Sequence, residues 1–424
     1  MAHIIILGAG LGGVPMALEM RAKARKEDQI TVINNRPTFD FTPSNPWVAV
    51  NWRQPDDIRV ELGPMFKKRR INFVCGYISK VLPQDKQIEL DDGTSLSYDY
   101  LVIATGPELN FAAIDGFGPE ANTVSICSTD HAEQARQKWL KFIKNPGPIV
   151  VGAVQGASCY GPAYEFALIM DTDLRRRKIR DKVPMTFVTA EPFIGHLGLG
   201  GVGDTKGMLE SELRNRHINW ICNAKITKIT KNVTEIEEMN EDGSVKAKHS
   251  LPFAHSMMIP GFKGIDAVQG LEGLVNPMGF ILVNEHQQNP KYPEIFSVGV
   301  CIAIPPVGAT PVPVGVPKTG FMIESMVRAA ALNIGAMLRG EQPKHEGSWN
   351  AVCLADFGDD GVAFIAMPQI PPRNVNWAKQ GKWVHWGKIA FEKFFLSKVR
   401  RGVSEPFFEK LALDLLGVTK EKNK

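Results

Sequence analysis

Hydrophobic positions along the chain fall into short unbroken runs that stop at glycine. The first, "HIIIL", leads into Gly8, Gly10 and Gly13 and then the mixed apolar pattern "VPMALEM". A continuous apolar run reads as a parallel strand buried on both faces, and the mixed pattern after it as a helix. The arrangement returns at Gly147–Ala167, "GPIVVGAVQGASCYGPAYEFA". Further strands are predicted in "QITVINN", which ends at Asn34, in "YDYLVIATGP" and in "YPEIFSVGVCIAIPP". A helix is predicted from Gly320 to Leu338. Trp377 to Val418 reads as two amphipathic helices broken at Gly402 and Pro406.

The two glycine turns differ in one position that carries chemistry. Gly8, Gly10 and Gly13 fill all three places of G-x-G-x-x-G. The first permits the tight turn, the second admits pyrophosphate, and the third packs the helix on its strand. Asn34 stands where an Asp or Glu usually grips the ribose. The second turn reads Gly152-Ala153-Val154-Gln155-Gly156-Ala157, with valine at the place of the second glycine. A valine side chain there is expected to fill the space of the pyrophosphate, so nicotinamide binding is not expected. Cys159 follows at the start of the next helix, where the dipole favours a thiolate.

Composition narrows the classes. At 424 residues the chain holds several cored domains, and a net charge of +4 gives no nucleic-acid binder. The six cysteines form no C-x-x-C pair, so no metal site is expected. No stretch reaches the roughly 20 apolar residues of a spanning helix. "MAHIIILGAG" runs directly into a strand, which is not the pattern of a cleavable signal peptide.

"YDYLVIATGP", with Thr105 and Gly106, resembles the A-T-G strand of flavin-dependent disulfide-reductase-like enzymes. "YPEIFSVGVCIAIPP" resembles their second FAD signature, with Val300 after Gly299 in place of the usual Asp. The features are similar to those of flavoproteins with two dinucleotide-binding domains. The implied architecture is α/β with tandem Rossmann-like domains, FAD the cofactor. Its parts would be residues 1–111 and 285–340 for the FAD domain, 112–284 for a second Rossmann-like domain, and 341–424 for an amphipathic membrane-binding region.

Three cysteines sharpen the resemblance: Cys127 in "TVSICSTDHAEQ", Cys159, and Cys353 in "SWNAVCLADFGDDGVAFI". With "PSNPWVAVNW", "TPVPVGVPKTGFMIESM" and "GVSEPFFEK", the chain resembles the sulfide:quinone oxidoreductases along essentially its whole length. The likeness is to the membrane-bound bacterial and archaeal type. It implies that Cys159 and Cys353 form the redox pair on one face of the flavin. It implies that Cys127 lies near the flavin's 8-methyl group, in some members as a covalent thioether. His131 and His196 match histidines near the family's active site, and Glu165 lies on the helix that follows Cys159. Lys318, just before the Gly320 helix, is placed to steady the flavin N1–C2 carbonyl. Cys75, Cys222 and Cys301 are expected to be ordinary buried cysteines.

The same resemblance implies sulfide and a membrane quinone as partners, the quinone ring flanked by Phe391 and Phe408 with Asn350 and Phe321 nearby. Between Trp377 and Gly402, tryptophans and phenylalanines alternate with Lys382, Lys388, Lys393 and Lys398. That pattern is expected to lie on a phospholipid surface, with the lysines towards headgroups. Family precedent suggests peripheral attachment to the outer face of the cytoplasmic membrane. Self-association into a homo-oligomer is left open, and the tail "TKEKNK" is expected to be disordered. The alternatives are a type II NADH:quinone oxidoreductase, which Val154 and the cysteines oppose, and the flavoprotein subunit of flavocytochrome c sulfide dehydrogenase. A flavin redox sensor without turnover is the reading outside catalysis.

Overall fold

Five parallel strands form the first sheet, in the order Ile295–Ser297, Tyr100–Ile103, His3–Leu7, Gln29–Asn34 and Asn72–Cys75. They belong to a computed structural model that describes residues 1–404 and 420–422. Ile4 pairs with Tyr100 on one side and with Ile30 on the other, so the N-terminal strand is central. Ile4, Ile5, Ile6 and Leu7 are fully buried, as an unbroken apolar strand in a doubly covered sheet requires. The helices Gly13–Lys23 and Gly320–Met337 pack on each other across one face. Strand order reverses beside His3–Leu7, which places a crevice at the carboxyl ends of that strand and of Tyr100–Ile103.

The second parallel sheet runs Ile218–Ile221, Met185–Thr189, Ile149–Ala153, His255–Ile259. Its central strand ends at the second glycine turn. A Cβ at Gly152 would sit 1.8 Å from the Val188 carbonyl oxygen, so only glycine lets these two strands close. The segment before Cys127 joins this sheet only through a single bridge between Val124 and Met257.

A third, antiparallel sheet holds Ala351–Asp356, Gly361–Met367 and Val375–Gln380. The first helix expected from Trp377 therefore starts later: Trp377 lies in a strand, and the helix is Lys382–Arg401. It ends where expected, at Gly402, whose φ of 64° is the left-handed cap that glycine accepts freely. Its lysines are not all at the surface. Lys388 and Lys398 point inward to carboxylates, leaving Lys382, Lys393, Trp383, Trp386 and Phe391 outside. An amphipathic pattern cannot distinguish an exposed lysine from one that has a buried acid to meet.

The described part of the tail also departs from expectation. Lys420 binds Glu324 at 2.9 Å, and Glu421 pairs with Arg328. Among the described residues no helix is long and apolar enough to cross a membrane.

Candidate active site

The first glycine turn is built around contacts that tolerate no side chain. Gly8 has φ of 92°, and a Cβ on Gly13 would lie 1.9 Å from the Gly8 carbonyl oxygen. Gly10, Gly106, Gly299 and Gly320 differ, since a Cβ on any of them meets nothing within 4 Å. Gly12 lies against Val298 and Ile323, so the starts of both long helices converge here. Neither helix has a side-chain cap at its first turn. Open glycine backbone beside two uncapped helix N-termini fits a dinucleotide pyrophosphate. Asn34 contributes indirectly: its Oδ1 accepts from Ala9 N at 2.9 Å and its Nδ2 donates to the Arg36 carbonyl. It therefore holds the turn in shape.

The second turn is closed by its own chain. Gly156 N donates to the Pro313 carbonyl at 2.7 Å, and Gly315 N donates to the Ala157 carbonyl at 2.8 Å. Val154 N donates to the Ile259 carbonyl, and Gln155 is bonded to both polar backbone atoms of Ile226. The Val154 side chain, 2% exposed, packs among Ile226, Val188 and Met258. The sequence assigned the block to that side chain. In the structure the Pro313 carbonyl also takes the Gly156 amide, and the Ile259 carbonyl takes that of Val154.

Three cysteines sit on neighbouring segments. Cys159 is the N-cap of the helix Tyr160–Arg176, which packs against the strand carrying Cys353. Cys127 precedes the helix Thr129–Phe142, whose Ser128 cap accepts from His131 N at 3.2 Å. Cys127, Cys159 and Cys353 all border one hydrophobic core. Burial pushes the Cys159 thiol up to about 11 and the Cys353 and Cys127 thiols up to about 12. The thiolate expected at a helix start is thus reversed, because desolvation outweighs the dipole. Each redox candidate has its own opposing cation, Lys318 for Cys159 and Lys388 for Cys353. All six cysteines are free; Cys75 is exposed, against expectation, Cys222 is half-buried and Cys301 buried.

Glu165 lies in the same helix as the Cys159 cap and is buried. Its Oε1 sits 2.5 Å from Lys388 Nζ, and burial raises its pKa to about 7 against the pull of that lysine. The two histidines lie elsewhere. His131 borders a cavity of about 500 Å³ with Phe111, Phe117 and Glu120, and His196 packs edge-on to Phe193. Burial lowers both pKa values, and neither is hydrogen-bonded to a thiol among the described residues. Lys318 lies over the Phe280 ring at 5.1 Å and faces Cys159 and Cys301 electrostatically.

Phe391 follows Lys388 by three residues, so the aromatic ring and the buried pair share one stretch of helix. Its ring is 5.9 Å from Phe41 and 5.8 Å from Phe395, at the edge of the molecule. Phe321 opens the helix Gly320–Met337. Asn350 precedes the Cys353 strand, and Phe408 lies outside the described residues.

Sequence reasoning missed the residues that hold the cysteine segments in register. Asn45 Nδ2 donates to the Ile126 carbonyl just before Cys127, at 2.8 Å. Trp47 Nε1 donates to Asp356 Oδ2, three residues past Cys353, also at 2.8 Å. Both belong to "PSNPWVAVNW", whose polar and aromatic residues inside a short apolar helix were the available signal.

The profile of the pyridine nucleotide-disulphide oxidoreductases matches residues 2–322. The chain is similar to the sulfide-quinone reductase of Aquifex aeolicus, 42% identical over 97% of this chain and 94% of that protein. The crystal structure of the sulfide:quinone oxidoreductase from that bacterium superposes with a TM-score of 0.95 at 41% identity, covering 99% of this chain and 96% of that one. A type II NADH:quinone oxidoreductase of Staphylococcus aureus is more distant, 23% identical over 85% of this chain and 89% of its own length.

Proposed function

The chain belongs to the pyridine nucleotide-disulphide oxidoreductase family and, within it, to the sulfide-quinone reductases, and from that premise we propose how its residues divide the work. The protein is an FAD-dependent oxidoreductase that oxidises sulfide and reduces quinone. Cys159 and Cys353 form the sulfur-accepting pair. In the cycle we propose, the pair alternates with a form bridged by sulfur, and hydrosulfide attacks the bridge. One S–S bond breaks and one forms, leaving a persulfide on one cysteine and a thiolate on the other. The thiolate and persulfide then re-form a bridge one sulfur longer, releasing two electrons that bound FAD would accept; each further hydrosulfide repeats the round, and sulfur leaves as polysulfide when hydrosulfide displaces it. Bound FAD supplies the two-electron chemistry that links the thiols to the quinone.

The protein's own groups do the rest. Gly8, Gly10 and Gly13 with Thr105, Gly106, Gly299 and Val300 form the cofactor cradle, in an FAD-binding unit of residues 1–111 and 285–340. The inserted unit, 112–284, carries Cys159 on a helix whose nucleotide site is strapped shut. Lys318 and Lys388 stabilise the thiolates by charge as they form. His131 and His196 are proposed to manage protons at the rim, and Cys127 to face the flavin. Quinone enters through the region 341–424, its ring against Phe391 with Asn350, Phe321 and Phe408 nearby. The protein works at a membrane as a peripheral enzyme. Its place on the outer face of the cytoplasmic membrane, and its contact with phospholipid, are part of the proposal.

The observation that carries this reading is the location of Cys159 and Cys353 on packed elements, each facing its own lysine, beside a nucleotide turn closed by Pro313. Anaerobic flavin absorbance tests it. Sulfide should bleach the flavin, NADH should not, and a soluble quinone analogue should restore the colour. Cys159→Ser and Cys353→Ser should each abolish sulfide bleaching while retaining the oxidised spectrum. Near-normal turnover in either variant would overturn the relay.

A further inference from the structure

Reducing a quinone to quinol takes up two protons, whereas oxidising hydrosulfide to the sulfane level releases one. Each turnover therefore brings one proton from water into a buried site, a requirement that rests on the reading above. The strand bearing Cys353 ends at Asp356, whose side chain is fully buried. Trp47 donates to its Oδ2, and His385 Nδ1 lies 2.7 Å from its Oδ1. Asp356 acts electrostatically on the Glu165 carboxylate, which is the partner of Lys388. His385 and Lys388 are three residues apart on one helix, and Phe391 is three further on.

His385 has a second environment. It lines a surface cleft of about 530 Å³ beside Trp386. The charged groups facing it there are Arg176, Glu212, Arg216, Asp359, Asp360 and Lys382, from four different elements. Arg216 is already paired with Glu212, Asp171 and Asp359, and Arg176 lies over the Trp52 ring and donates to the Gly358 carbonyl. His385 is thus in contact with both the cleft and the buried carboxylate.

We propose that His385 and Asp356 are the proton inlet of this enzyme, taking protons from water in the cleft and passing them to the Glu165–Lys388 pair. The chemistry suits the order of groups. An imidazole is the side chain whose ordinary titration spans neutral pH. A carboxylate 2.7 Å from one ring nitrogen fixes the orientation of the imidazole. Burial raises Glu165 to about 7, so that carboxyl both holds and releases a proton near neutrality. In each transfer the imidazolium gives its proton to the carboxylate, the carboxyl group passes it on, and the neutral imidazole is reprotonated by cleft water.

His385→Gln tests this, since glutamine keeps a donor for Asp356 and cannot titrate. Turnover with quinone should fall about tenfold or more, with a larger solvent isotope effect, in line with the usual weight of one proton-transfer group. The alkaline limb of the kcat profile should flatten. Added imidazole should restore turnover in His385→Ala, and Asp356→Asn, which keeps an acceptor for Trp47, should show the same loss without rescue. Single-turnover bleaching by sulfide should keep the parent rate in His385→Gln, so a failure of the inlet is separable from a failure of the sulfide:quinone reading, which would silence the parent. Parent-like kcat, pH profile and isotope effect in His385→Gln, or a lost rate in His385→Ala that imidazole does not recover, would overturn the proposal.

Discussion

Lys388 Nζ and Glu165 Oε1 lie 2.5 Å apart, both buried, although 223 residues separate them in sequence. The pair ties the helix Lys382–Arg401 to the helix that follows Cys159. Removing one partner leaves a buried charge without compensation, which costs about 3–5 kcal/mol. Lys388→Met should therefore lower the melting temperature strongly. Glu165→Gln should cost less, and the double variant should recover part of the loss because two neutral groups need no counterion. A double-mutant cycle read by thermal unfolding checks this; additive losses would show that the two residues do not act as a pair.

The closed second turn predicts that Val154 cannot simply be exchanged to recover a nicotinamide site. Val154→Gly should leave NADH unable to bleach the flavin, because Gly156 N and Val154 N remain bonded to the Pro313 and Ile259 carbonyls. The variant should be destabilised by about 2–3 kcal/mol, from the lost apolar burial and the added backbone freedom. Anaerobic NADH titration decides the point. Bleaching of Val154→Gly by NADH at a rate comparable with sulfide would show that the side chain was the block.

Local pattern carried the parts of this molecule whose causes are local. Gly13 is required by its close approach to the Gly8 carbonyl within one turn, and the helix Gly320–Met337 ends one residue from where its pattern predicts. The family was legible through the motifs flanking the cysteines, as the match to the sulfide-quinone reductases bears out. The inward lysines were not, because Lys388 and Lys398 look like surface positions until Glu165 and Glu324 arrive from other elements. The Pro313 strap has neither helical nor strand periodicity, so nothing in its composition says that its carbonyl takes the Gly156 amide. Thiol acidity failed for a similar reason: the helix start is visible in sequence, while the depth of Cys159 is a property of the assembled fold.

Glu191 provides a pH signature free of any ion pair. It accepts from Tyr164 Oη at 2.7 Å, Thr189 Oγ1 at 2.8 Å and Leu197 N at 2.6 Å, and burial raises its pKa from 4.5 to about 7. The folded state then binds this proton more tightly than the unfolded chain. Its contribution to stability is full below about 4.5 and is lost as pH rises through about 7. Glu191→Gln should remove that dependence. The stability difference between parent and variant should shift towards the variant over that window, by at most about 3 kcal/mol. A difference that stays flat across the window would show that Glu191 is ionised throughout.

The outer surface of the C-terminal region concentrates apolar groups that the core does not use. Trp386 is 68% exposed, Trp383 47% and Phe391 40%, and Trp377 and Val375 on the neighbouring strand are similarly open. Lys382, Lys379 and Lys393 are exposed around them, while Lys388 and Lys398 are turned inward and take no part. A hydrophobic patch with tryptophans and a basic rim is suited to the headgroup layer of an anionic bilayer. Burying one such ring is worth about 1.5–3 kcal/mol when complete, so partial insertion corresponds to about tenfold in partitioning for each tryptophan. Trp383→Ala with Trp386→Ala should therefore reduce sedimentation with phosphatidylglycerol vesicles by about a hundredfold. Turnover with a water-soluble quinone analogue should persist in Trp383→Ala alone, because Trp383 does not line the His385 cleft. Turnover with a long-chain quinone held in those vesicles should fall in step with binding. If the double variant sediments like the parent, the patch is not the membrane-contacting surface, and quinone must reach Phe391 from another side.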